Sequence, residues 1–466
     1  MTGGPPSERR GQIILWVLLE CLVAPAFVAP ASSGSDPFPR LKWTSAVSEF
    51  TWVDPLLVLL PSAPVENRLS VVTDTPEIFV FNGDTGDGTV ITPSPDFRRP
   101  LSATVTPHGE GSPQEIIAVD TGVSVIDLQS GKYRWRSEPA GARLFGPPTV
   151  FRGPPVQVLV EDGGGSLYSF GLADGTLLWT VPWNGTVDVV LRAPLVIEVG
   201  STALAILAEP GGTPSGPRLR AIDLATRLEA WSVGLTHHIL WYPPVAYRLP
   251  SGEDAIAYLD VDTELQFRDP SRAISVYARN GTLIWDEDLP GLPSLHVPPL
   301  GVAHVSDNAL LYLPDSQGIL RELRLSDGTS AVRQTGCDAN LTRVMYADLD
   351  SDGSDEMLVF SRDGPPKLCV LDLPSLKLRW SYNSSVGFAT WFSAPVVGEV
   401  DGDDGIELVV LLSHETSHRT VLAFDLSPAS TPSVPASWLP VLLVATVAGA
   451  AGFIVYFALR RKRRAR

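Results

Sequence analysis

The sequence predicts an all-β exported domain built from one repeated unit, followed by a single transmembrane helix. Three features predict this. An apolar run near the N-terminus ends in small residues, and an uncharged run near the C-terminus ends in basic residues. Between them, proline, apolar strands, tight turns and tryptophan recur in a fixed order. Together they indicate a type I membrane protein whose bulk lies outside the cytosol.

The N-terminal segment has the pattern of a secretory signal. Arg9 and Arg10 precede an apolar run from Ile13 to Val28, and small residues follow at Ala29-Pro30-Ala31. The run is too short for a membrane span and ends where a signal peptidase could cut. We therefore expect residues 1–31 to be a signal peptide and the exported domain to cover residues 32–427.

The C-terminal segment predicts a membrane anchor. Residues 438–459 contain no charge over 22 positions, and a basic tail follows at 460–466. Such a run is long enough to span a bilayer as a helix, and the basic tail favours the cytosolic side. A Ser/Pro/Thr-rich stalk at 428–437 would join this helix to the exported domain. The expected location is a secretory-pathway or plasma membrane, with the domain lumenal or extracellular.

The predicted helix carries small residues at helical spacing. Ala448 and Gly452 lie four positions apart, and Ala445 and Gly449 repeat the spacing. Small residues on one face allow two membrane helices to approach closely, so a helix-mediated dimer is possible on this pattern.

The charge balance excludes one class of partner. The whole chain has a formal charge of -17; without the six positive charges of the tail, the exported part carries -23. A surface this acidic would repel nucleic acid.

Asparagine and cysteine usage agree with export. Four of the seven asparagines lie in glycosylation sequons, at Asn184, Asn280, Asn340 and Asn383. This frequency is typical of a secretory glycoprotein. Cys337 and Cys369 both face the oxidising side, where they could form a disulfide or remain two buried thiols.

The repeated unit has two periodic marks. A proline precedes an apolar strand at intervals of 45 to 55 residues, at Pro55, Pro100, Pro148, Pro194, Pro244, Pro299 and Pro395, with Val344 in the missing position. A closing strand ends near Trp135, Trp179, Trp231, Trp285 and Trp380, with weaker copies near Val90 and Val332. Four short strands per repeat of this length predict the blades of a β-propeller.

The chain ends suggest how the ring closes. The last repeat lacks a tryptophan strand, whereas Arg40-Leu41-Lys42-Trp43 stands alone before the first repeat. An N-terminal strand that completed the last blade would remove an exposed edge. This closure favours eight blades over seven.

The Gly-Thr-Leu-Leu-Trp type of hairpin resembles that of quinoprotein-dehydrogenase-like propellers. A second resemblance is local: the acidic loops that begin at Asp348 and Glu399 are similar to the FG-GAP repeats of integrin α chains and related membrane glycoproteins. That resemblance implies Ca²⁺ binding by blade loops, with ligands at positions 1, 3, 5 and 9 and glycine at position 6. Mapped onto this sequence, the expected metal ligands are Asp348, Asp350, Asp352 and Glu356 in one loop, and Glu399, Asp401, Asp403 and Glu407 in the other.

The two loops differ in how well they fit a metal. Carboxylate oxygens converging in a tight loop suit a hard cation such as Ca²⁺, and Gly353 permits the bend in the first loop. The second loop has a longer first ligand, Glu399, and Asp404 stands where glycine belongs. An acidic turn without metal is the alternative for both.

One catalytic pattern is present, but its setting argues against it. His414-Glu415-Thr416-Ser417-His418 matches the zinc-protease motif, which requires a helix. It lies between two predicted strands with no room for one. The sequence therefore predicts a non-catalytic glycoprotein that binds a protein or glycan partner in adhesion, as a receptor or as a scaffold. The alternative is an exported quinoprotein-like dehydrogenase or hydrolase.

Overall fold

The computed structural model describes the chain in segments between Arg40 and Leu426, which lie within one compact unit, Pro39–Leu426. The predicted signal peptide, stalk, membrane helix and tail lie outside the described residues. Larger gaps within the unit fall at 48–55, 94–101, 106–114, 184–192, 210–215, 236–242, 262–271, 290–300 and 399–405.

The described residues form strands grouped in eight antiparallel sheets, numbered here in chain order. Sheet one contains β2 (Leu56–Ala63), β3 (Glu66–Val72), β4 (Ile78–Asn82) and β5 (Gly88–Ile91). Sheet two contains β6 (Ser102–Val105), β7 (Glu115–Val119), β8 (Val123–Asp127) and β9 (Lys132–Ser137). Sheet three contains β10 (Thr149–Phe151), β11 (Gln157–Glu161), β12 (Leu167–Gly171) and β13 (Leu177–Val181). Sheet four contains β14 (Leu195–Val199), β15 (Thr202–Glu209), β16 (Arg218–Asp223) and β17 (Glu229–Gly234).

The remaining sheets follow the same order. Sheet five contains β18 (Val245–Arg248), β19 (Asp254–Val261), β20 (Arg272–Ala278) and β21 (Leu283–Asp288). Sheet six contains β22 (Ala303–Val305), β23 (Asn308–Pro314), β24 (Ile319–Arg324) and β25 (Ser330–Gln334). Sheet seven contains β26 (Leu341–Ala347), β27 (Glu356–Ser361), β28 (Lys367–Asp372) and β29 (Lys377–Asn383). Sheet eight contains β30 (Ala389–Phe392), β31 (Val396–Gly398), β32 (Glu407–His414), β33 (Arg419–Asp425) and the N-terminal strand β1 (Arg40–Val47).

Burial falls into zones across each sheet. The second strands are buried on both faces, as in β11, where all five residues are buried. The fourth strands are largely exposed, as in β21. First strands of neighbouring sheets contact each other, including β10 with β14 and β14 with β18. The first strands therefore face a common centre and the fourth strands form the periphery.

The hydrophobic core is a series of layers between successive sheets. One cluster joins Ala257 and Ile274 of sheet five to Leu311 and Leu323 of sheet six. Others join sheets two and three, three and four, four and five, and six and seven. Because each second strand is apolar on both faces, a sheet can be buried only between two neighbours.

The tryptophans that mark the closing strands pack between neighbouring sheets. Trp231 of sheet four donates its indole N–H to the carbonyl of Arg279 in sheet five, at 2.8 Å. Trp285 donates to Leu325 of sheet six at 2.9 Å, and Trp135 donates to Leu172 of sheet three at 2.8 Å. Each tryptophan thus closes one sheet and docks on the last hairpin of the next.

Glycine makes this docking possible. Gly281 and Gly328 turn the receiving hairpins with φ of 82° and 72°. A Cβ on Gly281 would lie 2.7 Å from the Trp231 ring, and one on Gly328 would lie 3.0 Å from Trp285. These glycines are needed both for the backbone conformation and for the space that the indole fills.

The predicted closure by the N-terminal strand is found. β1 pairs antiparallel with β33, and Arg40 lies opposite Asp425 in the register. Sheet eight also contains a strand that the sequence did not predict, because β30 and β31 both pair with β32. Pro395 lies between these two strands in sequence, and proline has no N–H to give to a ladder.

Each sheet has two ends, which we call the hairpin face and the connection face. The hairpin face carries the turns between third and fourth strands, such as Asp174-Gly175 and Asn280-Gly281, and the loop between β26 and β27. The connection face carries the ends of the fourth strands. In sheet seven, Asn383 pairs with Lys367 at the connection face, whereas Glu356 pairs with Asp372 at the hairpin face.

The tryptophan docking predicts a specific cost for one added methyl group. Gly281→Ala should destabilise the chain by about 2–4 kcal/mol, because a left-handed alanine and an overpacked contact both cost free energy. Gly252→Ala is the matched control, since Gly252 has φ of 83° and nothing within 4 Å of its Cβ position. It should cost only about 1 kcal/mol. Urea unfolding of the purified chain measures both; equal losses would show that the indole contact contributes nothing.

Candidate functional site

The first acidic loop lies between β26 and β27. Asp348, Asp350 and Glu356 each place a carboxylate oxygen within 4.8 Å of the other two. Asp352, the fourth predicted ligand, does not belong to this group, and its Oδ1 accepts the N–H of Ser354 at 2.8 Å. Three of the four predicted ligands are therefore brought together at the hairpin face.

The backbone shapes this loop around the carboxylates. Asp348 accepts the N–H groups of Asp352 at 3.1 Å and Gly353 at 2.9 Å. Gly353 has φ of 86°, which is the bend that the sequence required. Even without a cation, these bonds hold Asp348 at the centre of the loop.

A basic side chain from the fourth strand already contacts this cluster. Arg379 of β29 lies 2.8 Å from Asp350, 3.2 Å from Glu356 and 3.7 Å from Asp372. Its guanidinium supplies positive charge to two of the three grouped carboxylates. Ca²⁺ and Arg379 would therefore compete for the same oxygens.

Glu356 is the least exposed member of the group, at 4%. Burial raises its pKa to about 7, although the N–H of Leu349 and the charge of Arg379 oppose the rise. Near neutral pH, a cation would therefore favour the ionised form of this carboxyl.

The second acidic loop is only partly described. Glu399, Asp401 and Asp403 lie outside the described residues, and Glu407 is fully buried at the start of β32. Lys42 of β1 lies 3.8 Å from Glu407. Lys42 and Arg379 occupy equivalent positions, because each is the extra residue of a β-bulge just before tryptophan. Sheets seven and eight thus share one design, a buried glutamate facing a basic bulge residue.

Two of the predicted glycosylation sites are described. Asn280 and Asn383 are exposed, and Asn280 lies on the hairpin face while Asn383 lies on the connection face. Asn184 and Asn340 lie outside the described residues. Cys337 and Cys369 are joined by a disulfide, with a sequence separation of 32.

The zinc-protease pattern begins inside a strand, since His414 is the last residue of β32 and β33 begins at Arg419. Separately, none of the described residues forms a helix that is long and apolar enough to cross a membrane. Residues 438–459 lie outside the described part of the chain.

A buried charged cluster was missed by sequence reasoning. Glu209 ends β15 at 1% exposure and forms ion pairs with Arg218, at 2.6 Å, and with Arg220. Arg218 also lies over the ring of Trp183, at 4.1 Å. The available signal was the alternation Arg218-Leu219-Arg220 after a strand that ends in glutamate, but the strand register was needed to pair them.

Desolvation dominates the electrostatics of this cluster. Burial raises the pKa of Glu209, and its two arginines oppose the rise. Burial lowers the pKa of Arg220, and Glu209 opposes the fall. The charges hold each other in their ionised forms, so the cluster depends on all of its members.

This dependence gives a testable asymmetry. Glu209→Ala should destabilise the chain by about 3–5 kcal/mol, because it leaves Arg220 charged and buried without its main counterion. Arg248→Ala is the control, since Arg248 pairs with Asp254 at 3.5 Å while 73% exposed. Its loss should cost no more than about 1 kcal/mol. Urea unfolding distinguishes the two, and similar midpoints would contradict the structural role of Glu209.

Removing the disulfide should also destabilise the chain. The Cys337→Ala/Cys369→Ala double variant releases a loop of 32 residues. Its loss is expected to cost about 3–4 kcal/mol through the greater freedom of the unfolded chain. Unfolding with and without reductant checks this: the wild type should respond to reductant and the double variant should not. Free thiols in the native wild-type protein, detected by alkylation and mass spectrometry, would refute the pairing.

Comparison with known proteins supports one of the two sequence resemblances. Residues 84–237 match the PQQ_2 family, described as outer membrane protein assembly factor BamB. No curated protein matches the chain. The structure is similar to that of BamB from Moraxella catarrhalis, with TM-score 0.50 and 11% identity over 82% of this chain and 99% of that one. It is also similar to the computationally designed Ika8 protein, with TM-score 0.52 and 12% identity over 82% and 99% of the two chains.

At these identities the structural likeness shows the fold alone. The FG-GAP resemblance of the acidic loops stays a prediction. The repeated antiparallel four-stranded sheets and the structural likeness together support a β-propeller fold for the described part of the chain. The quinoprotein-like family match applies to residues 84–237.

Proposed function

We propose that the chain is a non-catalytic, membrane-anchored glycoprotein whose propeller is a rigid scaffold for other proteins. The match to a family described as an outer membrane protein assembly factor supports a role in bringing proteins together. The adhesion and receptor roles expected from integrin-like loops have less support, because the comparisons favour the quinoprotein-like resemblance.

The observation that carries this proposal is how the propeller is stiffened. Tryptophan docking joins sheet two to three, four to five and five to six through hydrogen bonds of 2.8 to 2.9 Å. Such docking fixes the hairpins of neighbouring sheets relative to one another. A broad surface of fixed loops suits protein recognition, because little conformational entropy is lost on binding.

We further propose that the eight sheets are the eight blades of one ring. Two observations support this count: β2 of sheet one contacts β31 of sheet eight, and β1 completes sheet eight from the N-terminus. Averaged electron micrographs viewed down the ring axis would test it, and seven lobes would be incompatible with it.

The partner surface that we favour is the hairpin face. Asn383 ends the fourth strand β29 at the connection face. Asn184 and Asn340 come after fourth strands in the sequence, so we expect their glycans to shield the same face. The hairpin face has one sequon, Asn280, together with the first acidic loop. A protein partner would therefore meet less glycan at the hairpin face.

Engineered glycans can test this choice. Asp174→Asn and Asp327→Asn each convert an Asp-Gly-Thr hairpin into the Asn-Gly-Thr of Asn280. The change suits the turn, because Asp174, Asp327 and Asn280 each accept the N–H of the threonine two residues later, at 3.0 Å. In crosslinking from intact cells, the double variant should recover about tenfold less partner than the wild type. This corresponds to a loss of about 1.4 kcal/mol in binding free energy.

The control removes a glycan from the opposite face. Asn383→Gln should leave recovery of the same partner unchanged. Loss of the partner with Asn383→Gln, together with full recovery by the glycan-added double variant, would place the binding surface on the connection face instead.

We propose Ca²⁺ as a ligand of the first acidic loop, through Asp348, Asp350 and Glu356. Added Ca²⁺ should raise the melting temperature of the purified chain, and Asp350→Ala should abolish the rise. Arg379→Gln should enlarge the rise, because it removes the competing guanidinium. Mg²⁺ is the control, since it demands a tighter octahedral site. If Ca²⁺ shifts neither the wild type nor Arg379→Gln, the loop is an acidic turn held by Arg379.

A quinone-dependent enzyme is the second candidate, because the matched family gives the fold a quinoprotein-like character. Titration with pyrroloquinoline quinone distinguishes the two candidates. The scaffold proposal expects no saturable change in cofactor absorbance and no dye reduction with alcohols or sugars. Saturable binding with dye reduction would support the enzyme instead.

A further inference from the structure

The junction between sheets three and four contains two buried hydrogen-bond donors that have no acceptor among the described residues. They are the indole N–H of Trp183 and the Nη2 group of Arg220. Arg220 is 4% exposed, so bulk solvent does not hydrate its guanidinium freely. An unpaired buried donor costs free energy, and native proteins seldom leave one without a partner. Both donors therefore need an acceptor that the described side chains and backbone do not supply.

Other contacts hold these two side chains in place. Trp183 follows β13, and its backbone N–H donates to the Ser166 hydroxyl at 3.1 Å. Its ring packs against the turn at Gly165, where an added Cβ would lie 2.6 Å from the indole. Arg220 of β16 forms an ion pair with Glu209 through Nε, and its Cζ lies 5.1 Å from the centre of the Trp183 ring. Both donors therefore border the same small space between the two sheets.

The charges around this space decide which kind of acceptor fits it. Burial lowers the pKa of Arg220, and neighbouring charges act on it in both directions. The positive neighbour is Arg218, and the negative neighbours are Glu209, Glu229 and Glu161. With three carboxylates facing two guanidinium groups, an added anion would be repelled. A neutral molecule that accepts two hydrogen bonds and donates one to a carboxylate fits better, and a buried water does this.

We propose that a buried water molecule bridges Trp183 and Arg220 and so links sheet three to sheet four. It accepts hydrogen bonds from the indole N–H and from Nη2, and it donates one to the Glu209 carboxylate. At three other junctions, a tryptophan donates directly to a carbonyl of the next sheet, at 2.8 to 2.9 Å. Trp179 instead donates within its own sheet, so the water supplies the indole link at this junction. The inference is independent of the partner, Ca²⁺ and quinone proposals.

Nuclear magnetic resonance of the full chain in lipid nanodiscs, with ¹⁵N in its tryptophan indoles, tests the inference. Trp183→Phe identifies the Trp183 signal, because it removes the indole N–H and keeps an aromatic ring. This N–H should show an NOE to water and a rotating-frame effect of opposite sign, which distinguishes a bound water from proton exchange. Trp135 is the matched control, since it is 8% exposed and donates to the Leu172 carbonyl at 2.8 Å. Its N–H should show no NOE to water.

A second measurement separates water from an anion. The Trp183 signal is followed while chloride is replaced by bromide and then by sulfate at constant ionic strength, and a water predicts no saturable shift. Unchanged signals of the other indoles in Trp183→Phe show that this variant keeps its fold. Three results would overturn the inference: a saturable anion-dependent shift, equal water NOEs at Trp183 and Trp135, or a Trp183 N–H without a water NOE, whose acceptor would then belong to the chain.

Discussion

The docking of a tryptophan on the glycine hairpin of the next sheet is the contact on which the ring depends. An antiparallel sheet that is apolar on both faces cannot be stable alone, so each sheet must be fixed against its neighbours. Layers of aliphatic side chains bury apolar surface, but they do little to fix the orientation of one sheet relative to the next. The indole N–H does fix this orientation, because it donates a hydrogen bond to one carbonyl in the neighbouring hairpin. Trp231 donates to the carbonyl of Arg279 in this way, at 2.8 Å.

Where the tryptophan or the glycine is missing, the contact changes. Trp179 of sheet three donates to Gln157 of its own sheet, at 3.1 Å. The receiving turn in sheet four has Arg227 at φ 63° instead of glycine. Sheets three and four are linked by other means, including the apolar layer of Leu159 and Ala205. Nearby, Arg218 of the Glu209 cluster in sheet four stacks on the ring of Trp183, which follows sheet three in the chain. Sheets three and four therefore lack the tryptophan–hairpin hydrogen bond and have instead a contact between Trp183 and a buried ion cluster. Burying those ions costs desolvation free energy.

The sequence predicted the periodic parts of this structure well, because a repeated contact leaves a repeated mark. The tryptophan strands, the Asp-Gly and Asn-Gly turns and the closing strand at Arg40-Leu41-Lys42-Trp43 could all be read by comparing copies. Features that occur in one copy left no such mark. The extra strand at Ala389–Phe392 belongs to sheet eight alone, and the pairing of Glu209 with Arg220 depends on a strand register.

The first acidic loop also shows which contacts the sequence could predict and which depended on the folded structure. Spacing predicted that Asp348, Asp350 and Glu356 would lie in one loop, and a tight loop with glycine at its bend brings their carboxylates together. It could not predict that Asp352 would bind the N–H of Ser354, or that Arg379 would enter from β29. Arg379 reaches the loop because the β-bulge before Trp380 adds one residue to that strand and re-aims its side chain.

The pairing of β1 with β33 also governs when the molecule can be completed. Arg40 and Asp425 are separated by 385 positions, so the first of the described strands to be synthesised pairs with the last. Until β33 is synthesised, β1 has no partner in sheet eight, and its edge is open to pairing with another strand. A chain that ended before β33 would therefore display an unpaired strand edge, so closure of sheet eight depends on both ends of the exported domain.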